Sequence, residues 1–147
     1  MTKDLDVWIP GIPLGMNAFR KLNTRGRMAR VEMERSKAKM CALAAVRPLY
    51  PSGEDVWTGP TVIDFEMRTS RVFKDALILG GALKAMQDGL CLAVLPLGDG
   101  PAAPYQWNPP TQVKVQRKIE EGVMVRIRAV WKVVSPDGVT HLWPEVR

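Results

Sequence analysis

Alternation of apolar and polar residues is clearest in the middle of the chain, over residues 61–68. Ile63 and Phe65 fall on one side of an extended backbone there, and Asp64 and Glu66 fall on the other. This two-residue period is typical of a strand with one buried face. We therefore predict a strand whose apolar side packs on the core and whose acidic side faces solvent or lines a site.

Two other segments favour helices. Residues 27–46 are rich in Ala, Met, Arg, Lys and Glu and contain no glycine or proline, which suits a long helix. Residues 75–90 carry apolar residues at helical spacing, and Asp75 is placed to cap the first turn. Gly80 and Gly81 each cost this helix about 1 kcal/mol relative to alanine. We expect them to be offset by close packing against another backbone, such as a helix of a second subunit.

The remaining pattern predicts three strands and a long loop. Residues 5–9 form a short strand, and the proline-rich residues 96–110 form the loop. Residues 112–118 and 123–134 alternate and are predicted to form a hairpin with one basic face. The order β-α-β-α-β-β predicts an α+β fold, a small mixed sheet packed with two main helices. We expect one domain over residues 1–147, with a core at about 5–134 and a C-terminal tail at 135–147.

The composition limits the locations and the kinds of catalysis that we expect for this protein. No apolar run approaches the roughly 20 residues that span a bilayer, and the start of the sequence lacks a signal-peptide apolar core. We therefore expect no membrane association and a cytoplasmic location. Two cysteines, Cys41 and Cys91, are too few for a disulfide framework and look like core residues. His141 is the single histidine, so catalysis, if present, is expected to use carboxylates.

The positive charge is concentrated in one segment. The 147 residues carry a formal net charge of +6, yet residues 20–47 alone carry nine basic and two acidic residues, a net +7. A localised basic surface indicates a polyanionic partner, most often nucleic acid. The alternatives are a solvated helix face or a protein-interaction surface unrelated to nucleic acid. The predicted phosphate contacts are Arg27, Arg30, Arg35, Lys37 and Lys39 on the helix, with Lys114, Lys118, Arg126 and Arg128 on the hairpin.

Metal-dependent phosphodiester cleavage is the carboxylate chemistry that suits such a partner. Mg²⁺ prefers oxygen ligands, and two to four nearby carboxylates hold one or two ions. The candidates are Asp64, Glu66, Asp75, Asp88 and Asp99. Each also has a purely structural interpretation as a strand, cap or turn residue.

An ordered set of motifs resembles the RusA-type Holliday junction resolvases, phage and prophage endonucleases that cut branched DNA. The resemblance begins at residues 7–17, Val-Trp-Ile-Pro-Gly-Ile-Pro-Leu-Gly-Met-Asn, and continues through the basic helix. It is strongest over residues 75–99, where Leu83-Lys84, Asp88-Gly89-Leu90 and the Leu-Pro-Leu-Gly-Asp turn ending at Asp99 follow in order. The similarity covers about residues 5–130.

The resemblance implies a homodimer that binds four-way DNA junctions in the cytoplasm of a bacterial or phage-infected cell. It implies strand cleavage that depends on Mg²⁺ or Mn²⁺. The catalytic positions are those of Asp75, Asp99 and Lys84. The metal positions are those of Asp75, Asp99 and Asp88. Lys74 is a second basic residue, with Lys84, near the phosphate.

One departure separates this chain from that pattern. In the family's Asp-x-Asp-Asn motif, the second aspartate aligns with Leu77 of this chain and the asparagine aligns with Ile78. A leucine cannot ligate a metal. Three interpretations stay open: Asp88, Asp64 or Glu66 supplies the missing ligand, the protein binds branched DNA without cutting it, or the motif aligns one or two residues away.

Overall fold

A mixed five-stranded sheet with two long helices on one face forms the centre of the fold. The computed structural model of the protein describes residues 4–12, 16–50, 57–71, 76–130, 132–134 and 140–142. The strands are β1 (Asp4–Pro10), β2 (Thr61–Thr69), β3 (Tyr105–Trp107), β4 (Thr111–Lys114), β5 (Gly122–Ala129), β6 (Lys132–Val134) and β7 (Thr140–Leu142). The helices are α1 (Met16–Arg20), α2 (Thr24–Val46) and α3 (Ala76–Ala93), with a 3₁₀ turn at Lys118–Glu120. The predicted α+β class with a mixed sheet is confirmed.

β2 is the strand around which the sheet is organised. β5 lies antiparallel between β1 and β2, so that Ile63 is paired with Ile127 and Asp64 with Arg126. The other edge of β2 pairs with two short parallel strands, β3 beside its first half and β4 beside its second half. The main sheet therefore has the order β1-β5-β2 followed by β3 and β4.

The prediction of a hairpin between residues 112–118 and 123–134 is wrong. The strand at β4 and the strand at β5 do not pair with each other, because they lie on opposite sides of β2. The 3₁₀ turn between them carries the chain from one side of β2 to the other.

The predicted strand over 123–134 also ends earlier, at Ala129. Residues 132–134 form β6, which pairs with β7 in a second, two-stranded sheet. The predicted tail over 135–147 therefore contains a strand, and the predicted loop over 96–110 contains β3.

The buried face of the sheet follows the predicted alternation. Ile63, Phe65 and Met67 are at most 2% exposed, and their partners on β5 are equally buried. The two long helices cover this face with small and apolar residues. The buried sheet residues are Leu5, Val7, Ile9, Ile63, Phe65, Met67, Val123, Val125 and Ile127, and the helices add Ala38, Ala42, Leu83, Met86 and Leu90.

α2 is fixed at its start by a cap and along its length by contacts to the chain that leaves β1. The Asn23 side chain accepts the Gly26 N–H at 2.7 Å, which lets the helix begin at Thr24 rather than at the predicted residue 27. The Lys37 ammonium donates to the Pro10 carbonyl at 2.7 Å. The Arg30 guanidinium donates to the Ile12 carbonyl at 3.3 Å.

α3 runs from Ala76 to Ala93, close to the predicted range 75–90. The predicted cap Asp75 lies outside the described residues. Gly89 is where this helix meets α2, since a methyl group there would overlap the Arg35 carbonyl oxygen and lie 3.0 Å from the Ala38 Cβ. The absence of a side chain at Gly89 therefore sets how closely the helices approach.

Replacing Gly89 with alanine is expected to lower the free energy of unfolding by about 1–3 kcal/mol, because the two helices must move apart. Urea denaturation measures the change. Gly100→Ala is the matched control, since a Cβ at Gly100 meets no atom within 4 Å, and it should change stability by less than about 0.5 kcal/mol. Equal effects of the two changes would contradict the proposed role of Gly89.

Candidate functional site

Three of the predicted site residues meet on the exposed side of α3. The Lys84 ammonium lies 3.3 Å from a carboxylate oxygen of Asp88, one helical turn later. The same ammonium forms a short ion pair with the Asp99 carboxylate, which comes from the chain beyond the helix. The Lys84, Asp88 and Asp99 side chains are 57%, 37% and 33% exposed. We call these three residues the α3 cluster.

A tight reversal after α3 returns Asp99 to the helix. The Leu95 N–H donates to the Leu90 carbonyl at 3.3 Å, and the Gly98 N–H donates to the Leu95 carbonyl at 3.1 Å. Gly98 has φ +78°, in the left-handed region that glycine adopts without a steric penalty. The turn thereby places Asp99 beside a lysine 15 positions earlier in the sequence.

The α3 cluster shifts the ionisation of its own members. The hydrogen bond to Lys84 is the main cause that holds the pKa of Asp99 below its usual range. The bond to Asp99 is likewise the main cause that raises the pKa of Lys84. Both residues are therefore charged over the whole neutral pH range.

Cys91 lies near this cluster but is not a nucleophile. Burial, followed by the charges of Asp99 and Asp88, raises its pKa to about 12. The thiol stays protonated at neutral pH, and the thiolate is the nucleophilic form of cysteine. Like Cys41, Cys91 is half-buried and packs against the hydrophobic core, as the sequence predicts.

α2 brings the basic side chain of Arg35 to the edge of the cluster. The pKa of Arg35 is raised chiefly by its hydrogen bond to Glu32, and the charge of Asp88 contributes as well. Lys39 follows Arg35 by one helical turn, is exposed, and has no ion pair or hydrogen bond within the described part of the chain. The close contact at Gly89 thus joins a basic helix to a pair of carboxylates.

Asp64 and Glu66 do not supply a ligand to this cluster, because they lie on the other face of the sheet. Their side chains alternate with the buried residues that face the helices. Asp64 accepts hydrogen bonds from Arg128 at 2.6 Å and from Asn108 at 2.7 Å. Glu66 pairs with Arg68 at 2.8 Å.

The cluster offers two carboxylates to a metal ion. Among the residues that the structure describes, no group of three or more His, Cys, Asp or Glu side chains is placed to hold a metal. Mg²⁺ is often bound by one or two carboxylates, with water and substrate phosphates completing its coordination. Asp88 and Asp99 fit that donor set once the Lys84 ammonium moves away. Asp75 and Lys74 lie outside the described residues.

The predicted phosphate contacts divide into engaged and free side chains. Arg27 donates to the Arg20 carbonyl at 2.7 Å. Lys37 and Arg30 donate to the carbonyls at the end of β1 and just beyond it. Arg30 also pairs with the buried Glu34 at 2.9 Å. Lys39, Lys114 and Lys118 are exposed and, over the ranges given above, have no such partner.

The open face of the sheet balances its charges internally. Arg128 pairs with Asp64, and Arg126 lies 3.7 Å from Asp6 on β1. The basic face predicted for the hairpin is therefore a mixed face, in which arginines alternate with carboxylates from neighbouring strands. The alternation of Asp4 and Asp6 in the first strand is the sequence signal that indicates these pairs.

Sequence reasoning also missed the aromatic centre of this face. The Arg68 guanidinium lies 5.4 Å from the centre of the Trp8 ring, a cation–π contact. The ring packs against the backbone at Gly122, where a Cβ would overlap it. In the loop over 96–110, Tyr105 is buried and Trp107 stacks on Phe65, so both aromatic residues anchor the loop.

Neither the known protein families nor the curated proteins compared with this chain match it in sequence. In the part of the chain that the structure describes, no helix combines the length and apolar character needed to cross a bilayer. The chemistry of the α3 cluster and its basic surroundings is thus the basis on which a function can be assigned.

Replacing Lys84 with methionine is expected to raise the pKa of Asp99 towards its ordinary value, because the main cause of its depression is removed. A carbon NMR titration of the Asp99 carboxyl measures this. Because the pKa of Asp99 is lower in the folded protein than in the unfolded chain, the ion pair stabilises the fold at a pH above the pKa of the unfolded chain. This contribution is lost as the pH falls through the pKa of Asp99 in the folded protein. Its size is small because the pair is exposed.

Lys118→Met is the matched control, since Lys118 is an exposed lysine with no partner among the described residues. It should leave the Asp99 titration unchanged. An Asp99 pKa that stays equally depressed in Lys84→Met would show that Lys84 is not the main cause of the depression.

Proposed function

We propose that this chain is a RusA-like endodeoxyribonuclease that binds four-way DNA junctions and resolves them by metal-dependent hydrolysis of phosphodiester bonds. The observation that carries the proposal is the convergence of Lys84, Asp88 and Asp99. These are the positions that the ordered resemblance selects, and they come from two separate parts of the chain. The mixture of one lysine and two carboxylates suits phosphoryl chemistry.

The charge of the surroundings supports a nucleic-acid substrate. α2 belongs to the segment with net charge +7. Its Arg35 lies close enough to Asp88 for their charges to interact, and Lys39 follows Arg35 by one helical turn. Cations on a surface displace the counterions condensed on DNA, which favours binding without base recognition. A scissile phosphate at the cluster would thus have positive charge on the α2 side.

In this proposal Asp88 and Asp99 would hold Mg²⁺ or Mn²⁺, and Asp75 joins them by resemblance. A bound ion supplies a Lewis acid for the phosphoryl oxygens and lowers the pKa of its water. Lys84, released from its ion pairs, would donate to a non-bridging phosphate oxygen. Arg35 and Lys39 would hold neighbouring phosphates and so fix the position of the DNA backbone.

The resemblance further implies a homodimer, which belongs to the same proposal. A four-way junction must be cut in two strands to be resolved, and a twofold dimer presents two identical sites. The expected setting is the cytoplasm of a bacterial or phage-infected cell.

A mobile four-way junction incubated with the protein and Mg²⁺ or Mn²⁺ tests the proposal. We expect paired nicks near the branch point, and we expect Asp99→Asn to reduce the cleavage rate by at least about 100-fold while junction binding persists. Asp6→Asn is the matched control, since Asp6 is an exposed aspartate of the open face, 3.7 Å from Arg126. Absence of nicking in both metals, with junction binding intact, would sink the nuclease proposal.

A second candidate function is junction binding without cleavage. Leu77 and Ile78 occupy the positions of an acid and an amide in the resemblance. In the described part of the chain, the cluster has only two carboxylates, and a lysine already neutralises part of their charge. Binding alone would need the basic surface but neither carboxylate.

Adding a carboxylate to α3 separates the two candidates. For a protein that has lost nuclease activity, Leu77→Asp with Ile78→Asn should produce metal-dependent nicking that the wild type lacks. Adding Asp99→Asn to this variant should abolish the gain. Wild-type cleavage that is sensitive to Asp99→Asn would instead exclude the binding-only function.

A further inference from the structure

The hydroxyl of Tyr105 lies at the centre of the contacts that hold the turn after α3. It donates to the Trp57 carbonyl at 2.5 Å and accepts the Leu97 N–H at 3.3 Å. The residue is 8% exposed; its bond to Trp57 is buried, and its bond to Leu97 is partly buried. A hydroxyl that donates in one direction and accepts in another is fixed in orientation.

Tyr105 ties this turn to the sheet rather than to α3 alone. It is the first residue of β3 and is paired with Thr61 at the start of β2. The preceding residue, Pro104, accepts the Thr61 N–H at 3.0 Å. The backbone that carries the Tyr105 ring is therefore held in the sheet, and the hydroxyl bond holds the Leu97 backbone at a fixed distance from it.

The bonded amide lies two residues before Asp99. Between them is Gly98, whose left-handed backbone lets the chain reverse. Glycine is the most permissive residue, so the direction of Asp99 depends on what fixes the backbone on either side of it. Leu97 is half-exposed, so burial of its own side chain contributes little to fixing this backbone.

We propose that Tyr105 is a positioning residue of the α3 cluster, which holds Asp99 against Lys84 by fixing the Leu97 amide. The consequence for DNA cleavage rests on the proposed function. The consequence for the geometry of the cluster does not. In this role Tyr105 acts through the turn, by its bond to the Leu97 amide.

Tyr105→Phe removes the hydroxyl and keeps the ring. We expect the Leu97 amide to exchange with solvent about tenfold faster, because its hydrogen bond is lost. We also expect the NMR signal of the Lys84 ammonium protons to broaden, because the ion pair with Asp99 no longer slows their exchange. Circular dichroism and thermal unfolding establish that the variant is folded.

Tyr50→Phe is the matched control. Tyr50 packs edge-on against Trp57 with ring centres 5.6 Å apart, so it belongs to the same aromatic group. It makes no contact with Leu97 that the structure records. The control should leave both NMR readouts unchanged.

In the junction assay, Tyr105→Phe should lower the cleavage rate and leave the Kd for the junction unchanged. It should have no further effect in an Asp99→Asn background, because both changes then act on the same side chain. If the wild type does not cleave junctions, the proposed function fails, and the amide and ammonium measurements still test the positioning role. Unchanged readouts in Tyr105→Phe, or equal changes in Tyr50→Phe, would overturn the inference.

Discussion

The close contact between α2 and α3 at Gly89 is the constraint on which the rest of the structure depends. With no side chain at that position, the helix backbones approach until Gly89 meets the Arg35 carbonyl and Ala38. Both helices can then cover the same sheet face, with Ala38 and Ala42 from one and Met86 and Leu90 from the other. The same approach places Arg35 near enough to Asp88 for their charges to interact. Core packing and the electrostatics of the candidate site therefore have one structural cause.

The sequence predicted those parts of the fold that local patterns determine. Alternation identified β2 and its buried residues, and composition identified α2, because both signals come from neighbours in the chain. The pairing of β4 did not follow from its sequence. Two nearby alternating segments favour a hairpin, yet β4 joins β2 in parallel, a pairing that depends on residues about 45 positions away in the register of Glu66 with Thr111. A strand has the same two-residue period whether it pairs with β5 or with β2, so the pattern could not distinguish these two partners of β4.

The candidate site shows the same division between local and distant information. Lys84 and Asp88 are one helical turn apart, so their proximity follows from the helix alone. Asp99 joins them through a turn at Gly98, whose direction depends on Tyr105 and the sheet. The arginines of the open face are residues for which the local sequence was misleading. Arg126 and Arg128 look free in their own strand, but the neighbouring strands supply Asp6 and Asp64 as partners, so part of the basic charge is already balanced.

The position of Lys84 between two carboxylates bears on how a metal could act in the proposed nuclease. An ammonium ion and a divalent ion compete for the same oxygens, and both cannot be held by the same pair at once. Exposed ion pairs of this kind each contribute only about 0–1 kcal/mol, so the lysine is a weak competitor. Two carboxylates are also a weak ligand set for Mg²⁺ without further oxygens. A substrate phosphate changes both sides of this competition, because it adds oxygen ligands for the metal and gives the Lys84 ammonium another anion to bind. Metal binding and DNA binding at the α3 cluster would therefore strengthen each other, and the lysine would keep the carboxylates paired while DNA is absent.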